Sequence, residues 1–142
     1  MISFGRKVAM GQFIAHIALV VDDYDDAIAF YVGKLGFDLI EDTVLSPVKR
    51  WVLLEPPGSA ECKLLLAKAA NPEQRSRVGN QTGGRVFLFL YTDNFDRDFN
   101  LYKERGVVFV RDPVDEEYGK VAVFRDLYGN HWDLLQPRTS VE

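Results

Sequence analysis

At 142 residues with 47% apolar side chains, the chain has enough material for one compact domain, or for two half-domains sharing a core. Its 17 basic and 21 acidic residues leave a net charge of −4 without long runs of one sign, which argues against nucleic acid or an anionic membrane as partner and leaves a small-molecule ligand unaffected. The single cysteine, Cys62, excludes an intrachain disulfide and a cysteine-ligated metal site. No stretch approaches the ~20 apolar residues of a membrane helix, and the segment from Met1 to Phe13 is too short and polar for a secretion signal, so the cytoplasm is the expected compartment.

In chain order, residues 1–12 lack periodicity and read as an N-terminal extension, a flexible or dimer-draping arm. An apolar run over about 13–21 predicts a strand, which ends at an aspartate, Asp22, able to cap the helix that follows. That helix, about 23–35, carries a stripe of Tyr24, Ala27, Ile28, Tyr31 and Leu35, and Gly36 supplies the left-handed residue that stops it. Strands follow from Phe37 to Val44, over 50–55 after a Ser46-Pro47 turn, and over 61–67 after the break at Pro56-Pro57-Gly58. A polar interlude within about 69–84 places Pro72 at a helical first position and joins this half to a second. There the pattern gives strand 85–92, helix 94–105, strand 107–111, a turn at Asp112-Pro113, strand 118–125 and strand 131–136, before a tail at 138–142.

The two halves are copies. Asp22, Tyr24, Asp25, Ile28, Phe30 and Tyr31 meet Asp93, Phe95, Asp96, Phe99, Leu101 and Tyr102 at a constant shift of 71 (93 − 22 = 71), and after one deletion Gly36 meets Gly106. The expected architecture is α+β: two tandem βαβββ modules, about 13–68 and 85–137, in a single domain spanning 13–137.

Alternation then sorts side chains. If His16 faces inward, so do Ile14, Ala18 and Val20; if Phe87 faces inward, Phe89 and Tyr91 join it while Val86, Leu88 and Leu90 face the helices. An aromatic wall of that kind suits a planar or apolar ligand, and equally a plug or a subunit contact. Asp133, set between Trp132 and Leu134, is a carboxylate in an apolar strand that requires a partner, and His16 or a ligand is the economical one. Arg50 and Trp51 point to opposite faces, so one of them lines the interior; Arg50 has a fork suited to a carboxylate, and Tyr118, Lys120 and Arg85 are further polar candidates.

His16 on the first strand, Asp22-Asp23-Tyr24 leading to Phe30-Tyr31 and Leu35-Gly36-Phe37, and the closing Phe124-Arg125-Asp126-Leu127-Tyr128-Gly129-Asn130-His131-Trp132-Asp133-Leu134 together resemble the vicinal oxygen chelate superfamily of glyoxalase I, bleomycin-resistance proteins and extradiol dioxygenases. The resemblance implies that the sheets curl into a cup with helices outside, that two subunits pair, and that a ligand sits within. It also implies four metal positions, held here by His16, Leu65, Phe87 and Asp133. Leu65 and Phe87 offer no donor atom, so no metal cofactor is expected, although His16, Asp133 and His131 remain candidate ligands. Two functions are carried forward. The first is a binding protein for a small aromatic or apolar molecule, its cup lined by Phe87, Phe89, Tyr91, Leu65, Arg50 and Trp51 around His16 and Asp133. The second is a metal-dependent glyoxalase-like lyase or dioxygenase in which His16 and Asp133 are catalytic.

Overall fold

Each half begins as the apolar periodicity dictates, with a strand, a capped helix and three further strands. The computed structural model describes residues 11–58 and 61–138. Its elements are β1 (His16–Val21), α1 (Tyr24–Gly33), β2 (Asp38–Ser46), β3 (Lys49–Glu55), β4 (Lys63–Lys68), α2 (Pro72–Arg75), β5 (Val86–Tyr91), α3 (Phe95–Glu104), β6 (Val108–Glu116), β7 (Gly119–Arg125) and β8 (His131–Pro137). Of the N-terminal extension only Gly11 and Gln12, and of the tail only Arg138, lie among the described residues.

The helix caps fall one residue after the aspartates Asp22 and Asp93. Asp23 accepts the Asp26 N–H at 2.9 Å, and Asn94 accepts the Arg97 N–H at 3.1 Å, each satisfying a donor the helix start leaves open. Gly36 (φ +78°) and Gly106 (φ +89°) end the helices in the left-handed region.

The strands form two open four-stranded sheets, β1-β4-β3-β2 and β5-β8-β7-β6, with the first pair of each parallel and the others antiparallel. No barrel closes, and the α+β fold holds as two copies of βαβββ. The hairpin turn of the second module lies at Glu117-Tyr118, later than expected, because β6 runs on through Pro113. A proline is tolerated there because β6 is an edge strand and a register shift between Arg111 and Val114 absorbs it.

One hydrophobic core joins the modules. Leu19, Val21, Tyr31, Phe37, Val52, Leu66, Phe124, Trp132 and Leu134 belong to a single cluster, with Trp132 packing 5.8 Å from Tyr31 and 6.0 Å from Phe37 between ring centroids. The helix C-termini also meet: Tyr102 donates its hydroxyl to the Leu35 carbonyl, and Arg105 donates to that of Lys34 at 3.1 Å. Since α1 and α3 both lie on this core side, each sheet keeps its other face free of these two helices.

Candidate functional site

Strand alternation identifies what lines the helix-free faces. In β8, Trp132 and Leu134 enter the core, so His131, Asp133 and Leu135 point the other way. Register then lays out rows across this sheet. Phe89, Asp133, Val123 and Arg111 form one; Tyr91, Leu135, Val121 and Val114 form the next; Val86, His131, Arg125 and Val108 stand on the other side. Phe89 is 61% exposed and Tyr91 56%, whereas Val121, Val123 and Leu135 are buried although they lie outside the core cluster. We read this helix-free face, buried at its centre and open at Phe89 and Tyr91, as a shallow trough with an aromatic rim.

Phe87 is not part of that rim. A register shift between Val86 and Leu88 inserts it as a bulge and turns it onto the core, 6.1 Å from the Trp132 ring, with Leu88. The expectation that Phe87, Phe89 and Tyr91 share a face therefore fails at Phe87, and Val86 joins the trough instead of facing the helices. By register, Val86 and not Phe87 corresponds to His16, since His16 pairs with Lys63 where Val86 pairs with His131; Leu65 and Asp133 do correspond, lying opposite Ala18 and Phe89.

The first module's free face carries His16, Ala18, Leu65, Leu53 and Trp51, and the His16 ring stands edge-on to Trp51 at 6.0 Å. Arg50 is on the opposite, helix side. Its guanidinium binds Asp42 at 2.7 Å and Asp25 at 2.9 Å and lies 5.1 Å over the Tyr24 ring. The fork that suggested a ligand carboxylate is thus filled by the chain's own carboxylates, which hold the guanidinium pKa above its ordinary value, and that of Asp42 below its own. Lys120 repeats this arrangement, with Asp96 at 2.9 Å and the Phe95 ring at 5.1 Å. Tyr118 lies in the hairpin turn, and Arg85 borders a small hollow with Gly79, Thr82 and His131.

Among the described residues no hydrogen bond or ion pair joins His16 to Asp133. Asp133 is half-buried, and burial pushes its carboxyl above the usual range while the charge of Arg111 acts in the opposite direction. A metal does not fit this set. At the positions where an ion would need donors, Leu65, Val86 and the inward-turned Phe87 supply none, and no group of three or more His, Cys, Asp or Glu stands together among the described residues. A hollow of about 580 Å³ opens elsewhere, beside the start of α3, lined by residues including Asp93, Asp96, Asp115 and Lys120.

Sequence reasoning missed Arg111, Arg125 and Gln81. Period two from Val121 and Val123 places Arg125 in the trough, whereas the register shifts on either side of Arg111 hide it from any pattern. Gln81 accepts the Val20 N–H at 3.0 Å and donates to the Ala18 carbonyl, so one side chain occupies the open edge of β1.

Residues 13–134 match the Glyoxalase/Bleomycin resistance protein/Dioxygenase superfamily. A protein of Shewanella frigidimarina (strain NCIMB 400) is 62% identical over 128 residues, covering 89% of this chain and 95% of that relative. The crystal structure of UcmS2 superposes with a TM-score of 0.77 at 30% identity, covering 89% of this chain and 98% of that one. That of TnmS3, an antibiotic binding protein from Streptomyces sp. CB03234, gives 0.73 at 31% identity, covering 93% and 100%. The duplicated βαβββ halves, the two open four-stranded sheets and the match along nearly the whole chain have one reading: this protein belongs to the glyoxalase/bleomycin resistance protein/dioxygenase superfamily.

Proposed function

We propose that the protein binds a small, flat organic molecule in its trough and does so without a metal. The observation that carries this reading is the exposure of Phe89 and Tyr91 on a helix-free face beside a half-buried carboxylate, because large aromatic rings left open to water next to a polar anchor are what a planar ligand covers. The resemblance to TnmS3, an antibiotic binding protein, supports the same class of activity. Leu65 and Val86 at the positions of donor residues argue against the alternative, a lyase or dioxygenase built on His16, His131 and Asp133.

A second copy of the chain completes the site in this proposal. Among the described residues Val44 and Val48, at the β2–β3 turn, are 71% and 79% exposed, and β2 and β6 are open sheet edges that pairing would cover. Light scattering at micromolar concentration should give the dimer mass. No helix among the described residues is long and apolar enough to cross a membrane, and the one cysteine is unpaired, both in keeping with a role in the cytoplasm.

The test of binding is titration calorimetry with a panel of polycyclic aromatic compounds, joined to elemental analysis of protein purified without chelator. Phe89→Ala should weaken the best ligand about tenfold, or ~1.4 kcal/mol. Near-stoichiometric metal that disappears in His16→Ala would sink the reading in favour of the lyase or dioxygenase.

A further inference from the structure

The trough has a charge that its aromatic rim does not explain. Arg111 and Arg125 both lie on the helix-free face of the second sheet, Arg111 opposite Val123 and Arg125 opposite His131. Among the described residues neither side chain makes a hydrogen bond or ion pair, and both are exposed. By contrast Arg50, Arg97 and Lys120 each hold a carboxylate at 3.0 Å or closer. In a chain of net charge −4, two unpaired guanidinium groups on the face with the exposed aromatic rings mark a place for an anion.

Position sets the shape of that anion. From Phe89 on β5 to Arg111 on β6 there are three strand-to-strand steps, about 14 Å in all. Once the arginine folds inward, two or three fused rings fill the span. Asp133 stands beside Phe89, so like-charge repulsion drives an acidic group away from that end and towards the arginines. Val123 provides the apolar floor between them.

We propose that the ligand class is an aromatic acid, an aryl carboxylate or sulfonate of two or three fused rings, its acid group held by Arg111 and Arg125 and its rings laid over Val123 towards Phe89. The proposal rests on the binding reading above and adds the charge and size of the ligand to it. A planar acid gains a bidentate hydrogen bond from one guanidinium and a second charge from the other, which a neutral ring of the same shape does not.

Titration calorimetry with 2-naphthoate and anthracene-2-carboxylate, each against its own carboxamide, tests this on the full chain. The acids should bind at least tenfold more tightly than the amides and weaken with added salt. Replacing both arginines, Arg111→Gln with Arg125→Gln, should remove most of that preference, with circular dichroism confirming the fold. Equal binding of acids and amides overturns the ligand class and leaves the binding reading standing. A preference that survives in the double variant overturns the assignment to these two arginines. Absence of binding by all four probes overturns this proposal together with the reading beneath it.

Discussion

The two modules share a plan and differ most where their last two strands are joined. Between β7 and β8, Asp126 is 2% exposed, and its carboxylate receives five donors: the backbone N–H groups of Tyr128, Gly129 and Asn130, the Asn130 amide and the Tyr31 hydroxyl at 2.7 Å. The same loop reaches the first module again through Tyr128, whose hydroxyl accepts the Asp23 N–H and donates to the Asp23 carbonyl. At the position corresponding to Asp126, directly after β3, the chain has Pro56, whose side chain can accept no hydrogen bond. Duplication therefore produced two equal scaffolds and unequal tasks. The second module's loop is the bolt that fixes the first module's helix, and burial with the Asp126 charge beside it keeps the Tyr31 hydroxyl far above its ordinary pKa.

Removing the bolt should have the largest effect. Asp126→Ala strands a buried hydroxyl and three backbone donors at once, and should cost about 3 kcal/mol or more in urea unfolding. Pro56→Ala, at the matching site, should change stability by about 0.5 kcal/mol or less. Similar losses in the two variants would break the asymmetry.

The clamp on each helix start offers a finer comparison. Arg50 grips two carboxylates and covers Tyr24, whereas Lys120 grips one and covers Phe95. With the charged groups partly exposed, Arg50→Met should cost about 1 kcal/mol and Lys120→Met about half that, both shrinking in high salt. The reverse order in thermal or urea unfolding would show that the second carboxylate, Asp42, adds nothing.

The smallest effect concerns Leu65 and Asp133, which correspond in the two sheets. Burial holds the folded-state Asp133 carboxyl above its unfolded value, so the folded chain binds the extra proton in the window between the two. Stability accordingly falls as pH rises through that window. Asp133→Asn should match the wild type at lower pH and exceed it at neutral pH by about 0.5 kcal/mol or less, since Arg111 offsets part of the burial effect and the group is half open to water. A variant less stable than wild type at neutral pH would mean that the carboxylate is held by a partner, and not merely tolerated.

Duplication, element order, helix caps to within a residue and the stopping glycines were legible in the sequence, because each depends on local spacing: a constant shift of 71, an apolar period, a capping side chain, a left-handed residue. Alternation said only that one of Arg50 and Trp51 lines the interior and that Phe89 and Tyr91 share a face; which face each takes was settled by core packing. Alternation cannot register an inserted residue, so the bulge that swings Phe87 onto Trp132 and brings Val86 opposite His131 was decided by packing of the core. The run of β6 through Pro113, which seats Arg111 opposite Val123, was likewise decided by its place at the sheet edge. Arg50 shows the same limit in chemical form. Its sequence neighbourhood says that a guanidinium is present, but only the arrival of α1 and β2 beside β3 supplies the two carboxylates that occupy it. Local spacing writes the scaffold, and contacts between residues far apart in the chain choose which side chains are left free to meet a ligand.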